Sequence, residues 1–324
     1  MQMIDTEVVI TIPTSLSGYL SSLRALVFWQ VKRKLWDPVM DRTHYTGERT
    51  ELILDRKKAS DLLQARETDH EGRRSVFGQA FRQVSGLDPK RLRGKVKAFS
   101  ALFRGESGED AGGVYREALD HMCSELQSTA LPLLVRCPNG TAAVGINREK
   151  WILNPQANTK TSLAMFEFLG QLVAIALRTK NLIPLDFPPF VWKRLVQAPT
   201  DVNDLRGIDL CITQALDTLW NLDAHGVTEE VFSDYFADTF VTRDSSGAQV
   251  ELREDGHHTQ ANLPPPLSLV SVASLSDTGP GSLMIRYSQV TYDERLDFAK
   301  AIEHCRLEES ELQVNAIRKG TDPN

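Results

Sequence analysis

Residues 165–195 read MFEFLGQLVAIALRTKNLIPLDFPPFVWKRL. From Phe166 to Arg178 apolar residues cover nearly the whole circumference of a helical projection, which predicts a central helix buried among other elements. Gly170, Ala174 and Ala176 keep that helix thin enough for neighbours to approach closely. Arg178 and Lys180 stand where a helix C-terminus favours cations, and Pro184 ends the helix. Pro188 and Pro189 suit the first turn of a second, short helix running through Val196.

Upstream, Glu51–Asp55 predicts a short strand, and Lys58–Ala65 and Phe77–Val84 predict helices, the second ended near Gly86. Thr68–Arg74 reads as a charged loop. Val96–Phe103 is partly apolar on both alternating faces, which predicts a strand in a buried sheet. A helix from Val114 to Gln127 follows, then a strand or hairpin over Val144–Leu153 with a turn at Asn147–Arg148. Near the N-terminus, Leu16, Leu20, Leu23, Val27, Val31 and Leu35 repeat at helical spacing after a cap at Thr14 or Ser15. Packing on the chain's own domain is favoured for that stripe over partner binding.

Downstream of Pro199 the composition changes. Asp204 starts a helix with Ile208, Ile212, Ala215, Leu216, Leu219 and Trp220 on its apolar positions, and Thr228 caps another with Glu229 and Glu230 in its first turn. Val250–Leu252 contributes to a short strand. Residues 253–283 are rich in Gly, Pro, Ser, Asp and His and form a loop insertion. Thr291 caps a last helical stretch from Tyr292 to about Lys319.

The 324 residues are 41% hydrophobic and 25% charged, with a net charge of −6. This is globular composition, and its acidity disfavours general nucleic-acid binding. Val8–Trp36 comes nearest to a membrane span, but Arg24, Lys32, Arg33 and Lys34 interrupt it, so no membrane insertion is expected. The segment also lacks the basic start and small-residue cleavage site of a signal peptide. Cys123, Cys137, Cys211 and Cys305 are widely spaced with no CxxC pair, consistent with reduced thiols in the cytoplasm or nucleus.

Candidate sites are few. Gly105–Gly113, GESGEDAGG, precedes a helix as a phosphate loop would, but it lacks the GK[ST] and GxGxxG patterns and carries Glu109 and Asp110. A strand-to-helix turn capped by Asp110 is the simpler reading. His121 with Cys123, or His257 with His258, has no second ligand pair at zinc-like spacing, so no metal and no cofactor are expected. No Ser-His-Asp or Cys-His arrangement has supporting context. Leu216, Leu219 and Trp220 on one helix, with Phe240 on a following loop, are either a docking patch or a small core; the residues alone favour the core.

Several stretches together resemble the N-lobe of HECT-type E3 ubiquitin ligases, with the large HERC-type subgroup the nearest in flavour. FRGESGEDAGGV at 103–114 and the 165–195 stretch resemble its signature. VFGQAFRQVSGLDPK at 76–90, VGINREKWILNP at 144–155 and YDERLDFAKAIEHCRLEESELQVNAIRKG at 292–320 follow in the family's order, so the resemblance covers about residues 50–320. It implies an α+β, mostly helical fold with a helical extension over 1–48, a large subdomain over 49–199 and 284–324, and a small E2-binding subdomain over 200–252. By position it makes Leu216, Leu219, Trp220 and Phe240 contacts for a ubiquitin-conjugating E2, most clearly Trp220 and Phe240, with ubiquitin arriving on the E2. The family's transfer chemistry uses a cysteine in a separate C-lobe, in a setting like Thr-Cys-Phe-Asn. None of the four cysteines has that setting, so no catalytic residue is assigned, and the chain is expected to end short of that lobe. The resemblance thus implies the E2-docking part of a ubiquitin ligase; the alternative is a non-catalytic E2- or partner-binding helical module.

Overall fold

The computed structural model describes residues 26–106, 113–235, 240–252 and 290–321, together with Gly18, Tyr19 and Leu23. In chain order the elements are α1 (Trp29–Arg42), β1 (Thr50–Leu54), α2 (Arg56–Ala65), α3 (Val76–Val84), a 3-10 turn at Pro89–Leu92, β2 (Phe99–Phe103), α4 (Gly113–Leu126), β3 (Leu134–Arg136), α5 (Pro138–Thr141) and β4 (Trp151–Leu153). Then come α6 (Lys160–Thr179), α7 (Pro189–Leu195), α8 (Val202–Arg206), α9 (Leu210–Trp220), a 3-10 turn at Leu222–His225, α10 (Glu229–Tyr235), β5 (Val241–Arg243), β6 (Gln249–Glu251), α11 (Arg295–Glu308) and α12 (Glu311–Thr321). The fold is α+β and mostly helical. The tip of the glycine-rich loop, Leu16 and Leu20 of the N-terminal stripe and all of the 253–283 insertion lie outside the described residues. The rest of the stripe departs from expectation: α1 starts only at Trp29, and Leu23 and Val31 are each 49% exposed instead of packed on the domain.

The core is organised around α6. Thr159 caps it by accepting from Ser162 N–H, and Met165, Phe166, Phe168, Leu169, Leu172 and Ile175 are buried along it. By length and composition α6 could cross a bilayer, which the sequence reading excluded for every segment; here it is a core helix with α12 packed along it. It ends with Lys180 in the left-handed conformation.

β1 and β2 pair in parallel, Thr50 opposite Phe99 through Leu54 opposite Phe103. Leu52 and Leu54 point inward and Ile53 outward. The outer edge of β1 is met by side chains of α3. Gln83 accepts from Ile53 N–H (2.9 Å) and donates to Ile53 O (2.8 Å), while Gln79 accepts from Asp55 N–H (2.7 Å) and donates to Asp55 O (2.9 Å). The spacing of four places both glutamines on one helix face.

The 68–74 stretch is an ordered turn rather than a plain charged loop. Asp69 accepts from the N–H groups of Arg73, Arg74 and Ser75 and from the Ser75 hydroxyl. Burial alone would raise its carboxyl, but these four donors hold it below the usual range. Ser75 in turn caps α3 at Gly78 N–H (3.0 Å), and buried Glu125 of α4 accepts from Val76 N–H and Phe77 N–H, both 2.8 Å. Burial pushes the Glu125 carboxyl up to about 7.

Two expectations are corrected. Val144–Leu153 is not a hairpin of its own: Trp151–Leu153 pairs antiparallel with Leu134–Arg136, and Ala143, Gly145 and Asn147 turn through positive φ between them. The last helical stretch is two helices, interrupted at Glu309 and Ser310, and Thr291 does not cap it directly. Instead Glu294, the N-cap residue, accepts from Thr291 N–H and its hydroxyl.

Candidate docking site and the four cysteines

α9 is set by its N-terminus. Asp209 caps it, accepting from Ile212 N–H at 3.0 Å. Contrary to the sequence reading, Asp204 does not start this helix: it lies within the separate helix α8, where it forms a capping box with Asp201, and Lys193 reaches it at 2.7 Å. The bend from α8 to α9 is held by Asn139: Leu210 N–H donates to its Oδ1 at 2.7 Å, and its amide donates to Gly207 O at 3.3 Å. Cys137 Sγ lies 3.0 Å from Ile208 O. Local caps and the long-range contacts of Asn139 and Cys137 together fix the direction of α9.

The far side of Asp209 meets a buried cation. Arg306 of α11 is ion-paired with Asp209 and with Glu309, each at 3.0 Å, and donates to Arg243 O (3.1 Å) and Ser245 Oγ (2.9 Å). Ser245 also hydrogen-bonds Glu309. One guanidinium thus joins the start of α9, the β5–β6 turn and the α11–α12 junction. Arg306 stays charged, since Glu309 and Asp209 outweigh the burial that opposes its charge. Glu309 shares that single cation with Asp209 and its side chain is largely buried, so burial lifts its carboxyl above the usual range. The sequence reading missed this cluster. Its one signal was Arg306 itself, four residues after Ile302 on the inward stripe of α11.

With α9 placed, its faces can be assigned. Thr213, Leu216 and Leu219 point inward, and Leu216 is fully buried. Leu216 and Leu219 are therefore core residues and offer no surface to a partner. The reason is helical spacing: positions 213, 216 and 219 carry the stripe that packs on α11. Trp220, at the end of α9, is half-buried against the core, as is Phe240 before β5. Phe240 sits edge-on to Phe298 of α11, centroids 5.5 Å apart at 84°. α11 is thus the shared support beneath α9 and beneath Phe240. Leu205, Ile208, Leu222, Phe232, Val250 and Leu252 belong to the same continuous buried cluster as Leu52 and Phe166.

Three of the four cysteines are buried. Burial pushes Cys123 and Cys305 each up to about 12, and it raises Cys137 as well. Such thiols hold their protons and are poor nucleophiles. Cys211, in the first turn of α9, is exposed beside a 690 Å³ cavity that Ile212, Ala215, Arg243 and Ser246 also line. Among the described residues no group of three or more His, Cys, Asp or Glu side chains could hold a metal ion.

Comparison with known proteins adds a family. The model of the HECT domain (ubiquitin-transferase) matches residues 121–323. The E3 ubiquitin-protein ligase HERC2 of mouse is 28% identical over 250 residues, covering 77% of this chain and 4% of its own. The probable E3 ubiquitin-protein ligase HECTD4 of human is 33% identical over 208 residues, covering 60% of this chain and 5% of its own. The E3 ubiquitin-protein ligase TOM1 of Saccharomyces cerevisiae is 28% identical over 139 residues, 43% of this chain and 4% of its own. The chain thus spans a small fraction of the length of these relatives.

Proposed function

This chain belongs to the HECT-domain (ubiquitin-transferase) family, and from that premise we propose that it is the part of a ubiquitin ligase that docks a ubiquitin-charged E2. The docking surface is built on the 200–252 segment, with Trp220 and Phe240 as its apolar anchors and Leu216 and Leu219 as the core beneath them. The observation that carries the reading is the shared footing of α9 and Phe240 on α11, with a large aromatic side chain left half-exposed from each. Aromatic groups held rigidly from behind are the usual anchors of a protein interface. The sulfur that accepts ubiquitin is not among the four cysteines of this chain: three are enclosed and protonated, and Cys211 belongs to the E2-docking helix.

Trp220→Ala and Phe240→Ala each weaken binding of a partner E2 by about 2 kcal/mol, with the fold kept in circular dichroism. Leu216→Ala instead lowers fold stability by roughly 2–5 kcal/mol, because it opens a cavity. Titration calorimetry against a panel of E2 enzymes separates the two effects. Unchanged E2 affinity in both aromatic variants sinks the reading. Incubation with a ubiquitin-charged E2 leaves no thiol-reducible ubiquitin adduct on this chain.

A further inference from the structure

A second surface lies elsewhere. α1, α6, α7 and the end of α12 enclose an open cleft of 1020 Å³ that none of the four candidate E2 residues lines. α1 faces it with Lys32, Trp36, Val39, Met40 and Thr43, a stripe at helical spacing along the length of the helix. Large apolar side chains here are left in solvent: Leu182 is 97% exposed, Val196 63%, Val39 55% and Leu177 46%. Apolar area of this kind, gathered in one concave place, marks an interaction site.

The charge of the cleft says what it would hold. Its four ionisable lining residues, Lys32, Arg93, Arg178 and Arg318, are all cationic, in a chain whose net charge is −6, and Arg318 is already ion-paired with Glu311 (3.6 Å). Arg178 donates to Met40 O (3.3 Å) and to Thr43 Oγ1 (2.8 Å), both uncharged acceptors. Burial opposes its charge first, and nearby Arg93 adds to that. A carboxylate placed in the cleft would favour the charged guanidinium of Arg178. The walls are helices, and the floor along α6 runs from Gln171 to Arg178, about two turns. Apolar walls of that shape with a one-signed charge fit a helix that is leucine-rich on one side and acidic on the other.

We propose that the cleft between α1 and α6 docks an acidic amphipathic helix supplied by another protein. Leu182, Leu177, Val39 and Trp36 receive its apolar face, and Lys32 and Arg178 receive its carboxylates. The proposal is independent of the E2 reading, and either can fail without the other.

The test uses the full chain and a fluorescein-labelled peptide of about 18 residues, enough for five helical turns, with Leu on one face and Glu on the other. A second peptide carries Lys in place of Glu. Fluorescence anisotropy should show saturable binding of the Glu peptide alone, weakening with salt, with a change in tryptophan emission from Trp36 and Trp192. The double substitution Val39→Asp with Leu177→Asp, at exposed positions, should lower affinity by about tenfold or more while the circular dichroism melt is kept. Lys32→Glu should weaken the Glu peptide and strengthen the Lys peptide. The proposal is overturned if the Glu peptide does not bind, if both peptides bind alike, or if the double substitution changes nothing. It is also overturned if sedimentation shows the chain dimerising through this cleft, with the dimer lost in the double variant, since a second copy is then the occupant.

Discussion

Gly170 of α6 and Gly320 of α12 face each other where the two helices cross. A Cβ added at Gly170 would overlap the Ile317 carbonyl and stand 3.0 Å from Gly320 Cα, and one added at Gly320 would overlap the Glu167 carbonyl. Each glycine thus makes room for the backbone opposite the other. Neither sits at a positive φ, so the requirement is for space and not for an unusual backbone. Gly170→Ala and Gly320→Ala should each destabilise the fold by roughly 1–3 kcal/mol, despite alanine's better helix propensity. Urea unfolding checks this. Because both methyl groups push the same pair of helices apart, the double variant should cost less than the sum. A neutral or stabilising alanine at either position would contradict the close crossing.

Glu125 predicts a pH dependence. Its folded value of about 7 stands above its ordinary 4.5, so the folded chain holds the extra proton between those values. The contribution of this group is most favourable below pH 4.5 and declines as pH rises through 7, by about 3 kcal/mol in all. Asp69 acts in the opposite sense and in a lower window: its depressed value adds stability above pH 3.8 that is lost on further acidification. Thermal melts at pH 5 and pH 7.5 should therefore show a decline that Glu125→Gln flattens.

Thiol titration gives a third expected result. Cys211 should react quickly with a disulfide reagent in the native chain, while Cys123, Cys137 and Cys305 should react only on unfolding. Cys211→Ser should remove the fast phase. A second fast thiol in the folded protein would show that one of the enclosed cysteines opens to solvent.

Arg306 supplies a fourth. Arg306→Leu strands Asp209 and Glu309 together without a cation, and should cost about 3–5 kcal/mol. Adding Asp209→Asn and Glu309→Gln should recover part of that loss, since the penalty lies in the uncompensated carboxylates. Chemical denaturation of the single and triple variants measures it.

How much of this could be read from the chain depends on how local the cause was. α6 was legible because a helix apolar on every side has one natural place, and the Gly170 spacing announced a close neighbour without naming Gly320. The helix start at Pro188–Pro189 is short-range chemistry and leaves its mark in a few residues, while the caps at Thr159 and Ser75 went unread. β3 and β4 were not legible as partners: three residues near 135 pair with three near 152, and nothing in either triplet specifies the other. The turn between them, with its positive φ at Asn147, looked like the apex of a shorter hairpin. The same limit applies to the docking residues. Leu216, Leu219 and Trp220 share one face by spacing, and only the packing of α11 distinguishes the buried pair from the partly exposed ring. The cationic cleft was invisible because its four charges are drawn from positions 32, 93, 178 and 318.

The two glutamines of α3 have a consequence beyond holding β1 in place. A short parallel pair of strands with an open flank is an invitation to foreign strands, which could add on one after another and lead to fibrils. Gln79 and Gln83 answer the amide and carbonyl groups of Ile53 and Asp55 with an amide of their own, in the role an incoming strand would take. The helix thereby acts as a cap on sheet growth, and protection against that growth rests in part on two side chains that line neither proposed docking surface.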